Sequence, residues 1–342
     1  MKIVWLLFLV MFPFGAAAKI PISGGALSAA GDPIDQVWQM FRAGLEREAP
    51  GKFDIKFLIR GETGGEEALM SAVRRGRMHV ASFTVSGMSA IVPEFSVIMM
   101  PYLFASYEEL DFVLDNFLAE PLRVLAAEKN LHVFGWLDDG WLNLYAKDPL
   151  LSPKDLDGYP MRAWQVPSSR VFFETLGADT IGMPFPDIIP SLQTGLIKGS
   201  EIAPMTYDGM GLAAHARHYV LTRHAYNTGL LVANKSWIES LVPAERTALI
   251  EAVPDKLTAR ALLRDGVPNY YESMVAQGAV IHALTEDQRA RWVVATRPVH
   301  EALLQTLGQR ARDLYEVIQD GKSAFRDSNN LRDVPSSERS RL

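Results

Sequence analysis

The sequence predicts an α/β fold in two lobes, each a mixed, mostly parallel sheet flanked by helices. Three observations carry that expectation. Strand patterns alternate with helical patterns over short connections, which builds a parallel, doubly wound sheet. The alternation comes in two successive sets, the second beginning near Gly140. The composition is globular: 342 residues, 48% hydrophobic and 22% charged, enough for two medium domains with cores.

The elements follow in order. Lys2 precedes the apolar run Ile3–Phe12, which Pro13, Phe14 and Gly15 break, and Ala16-Ala17-Ala18 supplies small residues for cleavage. A membrane span needs about 20 apolar residues, so residues 1–18 read as a signal peptide cleaved after Ala18, and an exported, soluble mature chain is expected. A strand at Lys19–Ile22 opens it. Asp32 caps a helix with Pro33 in its first turn, and Ile34, Val37, Trp38, Phe41 and Leu45 recur at helical spacing. Phe53–Phe57 alternates as a strand, Glu66–Arg75 is a short helix closed by Gly76, and Met78–Phe83 is a strand. Ser106 with Glu109 starts a helix reaching about Lys129, and a strand runs from Leu131 to Trp136.

The second set comprises the strand Leu142–Ala146, the turn Ser152–Asp155, the strand Tyr159–Ala163 and the helix Ser168–Leu176. A helix ending at Gly195 and strands at Ile197–Ile202 and Tyr226–Ala233 complete it. The C-terminal third is mainly helical, with a long run from Pro254 and a helix behind the Thr285/Gln288 capping box. From Asp327 the chain turns polar and a frayed tail is expected. Ligands of open α/β sheets sit at the carboxyl ends of strands, so the cleft between lobes is the expected site.

Charge and composition exclude several functions. With 34 Lys+Arg against 40 Asp+Glu the chain has no basic excess for nucleic acid, and with no cysteine it has no thiol nucleophile, thiolate metal site or disulfide. No catalytic constellation stands out. No Gly-x-Ser-x-Gly elbow occurs, and His300-Glu301-Ala302-Leu303-Leu304 lacks the second histidine of a zinc-protease helix. His215, His218 and His224 have a spacing compatible with a metal, but solvated histidines at a helix end are the plainer reading. Gly209–Ala214 matches a weak dinucleotide loop outside a strand-to-helix turn and reads as helix packing. Gly61–Gly65 reads as a tight turn, and Asp138-Asp139 as exposed, solvated acids.

Arg162 does stand out. It lies inside a short strand in Gly158-Tyr159-Pro160-Met161-Arg162-Ala163-Trp164-Gln165-Val166-Pro167, among apolar neighbours and just before a helix. A buried guanidinium needs an anion, either an internal Asp or Glu or a ligand carboxylate held by two parallel bonds. Trp164 walls a pocket or fills core.

Five segments in order resemble the extracytoplasmic binding proteins of TRAP transporters, of the dicarboxylate-binding, DctP-like family. They are Gly65-Glu66…Val73-Arg74-Arg75-Gly76; Met100-Pro101-Tyr102-Leu103-Phe104; Ser152–Arg162; Leu176-Gly177-Ala178; and Ser191–Glu201. The resemblance implies a two-lobed periplasmic binding protein fold with a long helix spanning both lobes, closing around an organic acid. It implies lobe I at 19–139 plus about 228–267, lobe II at 140–227 plus about 268–322, and a flexible tail at 323–342. It places the carboxylate clamp on Arg162, an apolar wall on Phe185 and a polar contact on Asn227.

Sugar-acid-binding members carry polar residues where this chain has Leu142, Val85 and Ile202. A smaller or more apolar monocarboxylate is therefore expected, with Trp141, Trp164 and Tyr207 as an aromatic wall. The implied role is capture of a carboxylate in the periplasm and delivery to the membrane subunits of a TRAP permease, by a monomer without cofactor or metal. The rival readings are a ligand sensor for a membrane receptor and an exported enzyme on the same scaffold.

Overall fold

The computed structural model describes residues 19–28 and 30–333, with side chains to 328. The signal-peptide expectation for 1–18 lies outside the described residues. Among them is one nine-stranded sheet of β1 (Ile20–Gly25), β2 (Phe53–Leu58), β3 (Val80–Thr84), β4 (Leu131–Ala146), β5 (Pro160–Ala163), β6 (Asp179–Gly182), β7 (Gly199–Ile202), β8 (His218–Asn234) and β9 (Val280–His282). The order is β2-β1-β3-β8-β4-β7-β5-β6, with β9 beside β8. Each end of the sheet is a parallel trio, as the strand–helix–strand pattern requires. The two trios are joined by an antiparallel pair, β4 and β8.

That pair is longer than the sequence pattern shows. The expected strands Leu131–Trp136 and Leu142–Ala146 are one strand, and β8 begins eight residues before Tyr226, at His218. Register shifts between Val133 and Gly135, Asp138 and Gly140, and Leu142 and Leu144 interrupt β4 and break its alternation. Gly140 takes φ +118 at the middle shift, a conformation that side-chain-bearing residues rarely adopt.

The helix expected from Ser106 to Lys129 comes in three pieces: Tyr107–Val113, a turn of π-helix at Leu114–Leu118, and Ala119–Ala127. Pro121 explains the break, because it cannot donate to the carbonyl of Phe117 and its ring crowds that carbonyl. The long run from Pro254 is a pair of helices, Lys256–Asp265 and Val267–Ala276, interrupted at Gly266 just before Pro268. The first half packs on β4 and on the helix Pro33–Glu48, the second on the helix Pro204–Gly209 and on β9. Where the family resemblance implies one long helix, the run from Pro254 is thus two shorter helices. The capping box at Thr285/Gln288 opens the helix Glu286–Leu307. The last helix, Gln309–Asp333, continues through residues 323–333, where a frayed tail was expected.

The largest apolar cluster extends along one face from Leu69 to Ile318 and takes in Val85, Leu142 and Phe172. A second gathers Tyr145 of β4, Ile202 of β7, Tyr219 of β8 and Tyr207 of the helix Pro204–Gly209 with Ile188 and Leu192. A third packs Trp38, Phe41 and Phe57 against β1 and β2.

Candidate functional site

The site has two poles. At the first, β5 presents Arg162 beside the residue that follows β6. Arg162 Nε donates to the Met183 carbonyl (3.2 Å), and the guanidinium lies 5.7 Å from the Trp164 ring centre. The residue is 4% exposed, and Nη1 has no hydrogen-bond partner. Burial pulls its pKa down, against Tyr145 and Glu201, which favour the charged form. Among the described residues no acid pairs with it. Glu201, on β7, turns to His224 instead: Oε2 meets Nε2 at 2.7 Å, while Nδ1 meets Thr222 Oγ1 at 2.8 Å. The imidazole stacks on Phe172 at 4.4 Å. The internal bridge considered for Arg162 is therefore not formed.

Trp164 and Ser200 fix the strand edge. Trp164 Nε1 donates to the Glu201 carbonyl (3.0 Å), and Ser200 Oγ donates to the Arg162 carbonyl (2.8 Å). Behind them stand three buried tyrosines, with ring centres 5.7 Å apart for Tyr145 and Tyr207 and 4.8 Å for Tyr207 and Tyr219.

The second pole lies where β4 and β8 cross between the trios. The register shift beside Gly140 sends neighbouring acids to different partners. Asp138 pairs with Arg264 (2.5 Å), whereas Asp139 accepts from Asn227 Nδ2 (2.7 Å). Asn227 Oδ1 accepts from the Ser86 backbone at 3.4 Å, so both ends of this amide are engaged by the protein. Glu66, in the first turn of the helix Glu66–Arg74, accepts from Thr84 N (2.7 Å) and Thr84 Oγ1 (3.0 Å). Gly87 makes room for it, because a Cβ there would stand 2.4 Å from Glu66 Oε2.

Glu66 and Asp139 are half-buried. Burial pushes Glu66 up to about 7, against its Thr84 bonds, and Asp139 up to about 6, against its Asn227 bond. Each acid feels other carboxylates, Glu66 that of Asp139 and Asp139 that of Asp138. Asp139 is also close enough to add to the burial that raises the Tyr219 hydroxyl pKa. The tyrosines thereby connect the acidic pole with Arg162.

The residues singled out from sequence separate on this geometry. Arg162 and Trp164 meet at the first pole, and Asn227 stands at the second. Trp141 is half-buried, with its ring 5.1 Å from Tyr226 and 5.7 Å from Tyr107. Leu142, Val85 and Ile202 are fully buried in apolar clusters, so they serve packing. Tyr207 is likewise in the core, its hydroxyl donating to the Ala216 carbonyl (2.9 Å). Phe185, expected as a wall, is 40% exposed in the turn Phe185–Asp187, flanked by Pro184 and Pro186.

Other expectations change too. Asp138 and Asp139 are not a solvated pair. His218 and His224 sit on a strand rather than a helix end, His218 against His282 (2.9 Å) and His224 buried on Glu201. Among the described residues no group of three or more His, Cys, Asp or Glu is placed to hold a metal ion, and no helix is long and apolar enough to cross a membrane. Glu66 and Thr84 were not singled out from sequence. The available signal was Thr84-x-Ser86-Gly87, polar residues and a glycine directly after an apolar strand.

Comparison with known proteins agrees with this architecture. A solute-binding protein of Chromohalobacter salexigens is 26% identical over 294 residues, 85% of this chain and 86% of that one. The C4-dicarboxylate-binding periplasmic protein DctP of Rhodobacter capsulatus is 24% identical over 269 residues, covering 77% and 80%. Among solved structures, a TRAP periplasmic solute-binding protein of Roseobacter denitrificans with bound β-D-glucuronate superposes with a TM-score of 0.82. It is 23% identical, over 87% of this chain and 99% of that one. A Shewanella oneidensis TRAP periplasmic solute-binding protein with bound succinate gives 0.82 at 18% identity, over 89% and 100%. The description of bacterial extracellular solute-binding protein, family 7 (DctP), matches residues 24–306, and the chain belongs to that family.

Proposed function

We propose that this protein captures an organic acid between its lobes in the periplasm and hands it to the membrane subunits of a TRAP permease. One observation carries the reading: Arg162 is buried with Nη1 unpaired and no acid in hydrogen-bond contact, the nearby Glu201 carboxylate being turned to His224. Burying a guanidinium in this state is unfavourable, and a carboxylate is the group whose geometry matches its fork. The relatives support the ligand class, since glucuronate, succinate and C4-dicarboxylates are what those proteins are described as binding. Neither pole resembles a catalytic set. His224 stands between the Glu201 carboxylate and the Thr222 hydroxyl, but all three side chains are fully buried and stacked under Phe172, out of reach of a substrate, which favours binding and lobe closure over catalysis.

Calorimetric titration of the mature protein with mono-, di-, hydroxy- and amino-carboxylic acids tests this. At least one class binds, and Arg162→Ala weakens it by about 2–5 kcal/mol, because a charge-assisted pair in a dry site is lost. Undiminished affinity in Arg162→Ala would remove the clamp. Absence of binding by every acid would remove the carboxylate reading itself.

A further inference from the structure

Two donors buried on one face of the sheet have no partner in the protein, Arg162 Nη1 and the Tyr145 hydroxyl. Strand register brings them together. Tyr145 of β4 lies opposite Ser200 of β7, and Met161 of β5 lies beside Gly199, so Tyr145, Ser200 and Arg162 form one row across three adjacent strands. The bond from Ser200 Oγ to the Arg162 carbonyl (2.8 Å) ties that row. Tyr145 packs in the cluster that includes Met183, whose carbonyl takes Arg162 Nε. Met161 and Ala163, on either side of Arg162, belong to the cluster on the other face. Two strand spacings, about 10 Å, separate the main chains of Tyr145 and Arg162, a gap that these long side chains close from both ends. Each acts on the other: the Arg162 charge favours ionised Tyr145, and Tyr145 favours charged Arg162.

Of the three stacked tyrosines, only Tyr145 keeps its hydroxyl free. Tyr207 Oη donates to the Ala216 carbonyl (2.9 Å) and Tyr219 Oη to the Ile202 carbonyl (3.0 Å). Tyr145 is fully buried, and burial pushes its pKa up to about 12, so at neutral pH it is a neutral donor. A hydroxyl and a guanidinium N–H buried without an acceptor are both unfavourable. Glu201 does not serve them, because successive strand residues face opposite ways and its carboxylate meets His224. Resting on the carboxylate reading above, we propose that Tyr145 is the second donor of the seat, its hydroxyl and Arg162 Nη1 each giving a hydrogen bond to one ligand carboxylate. Arg162 Nε is already held by the Met183 carbonyl, which removes the side-on grip of the guanidinium. Tyr145 restores a second fixed bond without adding a second positive charge.

Calorimetric titration at neutral pH with succinate, D-glucuronate, pyruvate and propionate, alongside melting of the ligand-free proteins, tests this seat. Tyr145→Phe weakens every acid that the wild type binds by about ten- to a hundredfold, as loss of a hydrogen bond to a charged group does. The same variant melts no lower than wild type without ligand, because the missing hydroxyl has no partner in the protein. Tyr219→Phe is the control: it loses a hydroxyl of the same stack that the fold does use, so it melts lower and yet holds the acids with wild-type affinity. Undiminished affinity in Tyr145→Phe overturns the second donor and leaves the Arg162 clamp standing. A melting temperature well below wild type in Tyr145→Phe overturns it as well, since the hydroxyl would then serve the fold. Equal weakening by Tyr219→Phe also overturns it, because any hydroxyl of the stack would then support the site. Failure of every probe to bind overturns the carboxylate reading and the seat with it.

Discussion

Burial opposes the charged form of three ionisable side chains, Arg162, Glu66 and Asp139, and each leaves a trace in stability. The two acids are raised by burial, so between pH about 4.5 and 7 the folded state carries more protons than the unfolded chain. Stability from these groups is therefore greatest at the acid side of that window and falls as pH rises through 6 to 7. Urea titrations at pH 5, 6 and 7 are expected to show this fall in the ligand-free protein and a flatter profile in Glu66→Gln/Asp139→Asn. A profile unaltered by the double substitution would mean that neither carboxyl is perturbed. Arg162 obeys the same logic with the opposite charge: Arg162→Met should melt no lower than the wild type without ligand while losing the acid.

At the scale of elements, strand β7 aligns the site, and Gly199 sets its place. A Cβ at this position would stand 2.3 Å from the Tyr145 carbonyl and 2.9 Å from the Ala146 side chain, so β7 approaches β4 only because the residue is glycine. Gly199→Ala is expected to destabilise by about 1–3 kcal/mol through overpacking and to lower the unfolding midpoint in urea. It should also loosen the acid, since the Ser200 bond to Arg162 moves with the strand. A melting temperature equal to wild type would show that β7 shifts without cost.

Five of the six strands of the parallel trios were legible in the sequence as short runs bracketed by glycine or by a capped helix; β6, Asp179-Thr180-Ile181-Gly182, was missed because a half-exposed edge strand with one apolar side chain leaves no hydropathy signal. The joining strands were only partly so. Bulges around Gly135, Gly140 and Asn143 erase the period-two signal in β4, and at Arg223 β8 takes φ +43, which no pattern of side-chain hydropathy reveals. The same break hid the acidic pole. Adjacent aspartates in an unbroken strand would face opposite ways with one in water, whereas the bulge brings both inward. Arg162, a lone cation amid apolar residues, needed no such geometry to be noticed.

Across the whole molecule the two parallel trios are joined through β4 and β8, and the helix pair Lys256–Asp265 and Val267–Ala276 packs on β4 with its first half and on β9 with its second. A cluster of charges pins the first of these helices to the segment Tyr107–Leu118 and to β4. Arg264 makes two bonds to Asp111 (2.7 Å each) and one to Asp138, and Arg260 makes two to Asp115 (2.9 and 3.0 Å). Asp138 sits one residue before Asp139, so this cluster anchors the stretch of β4 on which the acidic pole is mounted. Burial raises the Asp138 pKa, and the Arg264 charge and hydrogen bond oppose that rise.

Arg264→Met should therefore strand Asp138, at a cost of about 3–5 kcal/mol when the acid is ionised. Without Arg264 the Asp138 pKa climbs further, so the acid escapes the penalty by protonating. The loss should be small at pH 5 and grow as pH rises toward 8, as required of a group whose folded pKa exceeds its unfolded one. Arg264→Met/Asp138→Asn should recover most of the stability at pH 8, since no charge then remains unpaired at that position. A pH-independent loss, or no recovery in the double variant, would mean that Arg264 acts through its guanidinium over the Tyr107 ring, 4.2 Å from the ring centre, or through its two bonds to Asp111, instead of through Asp138.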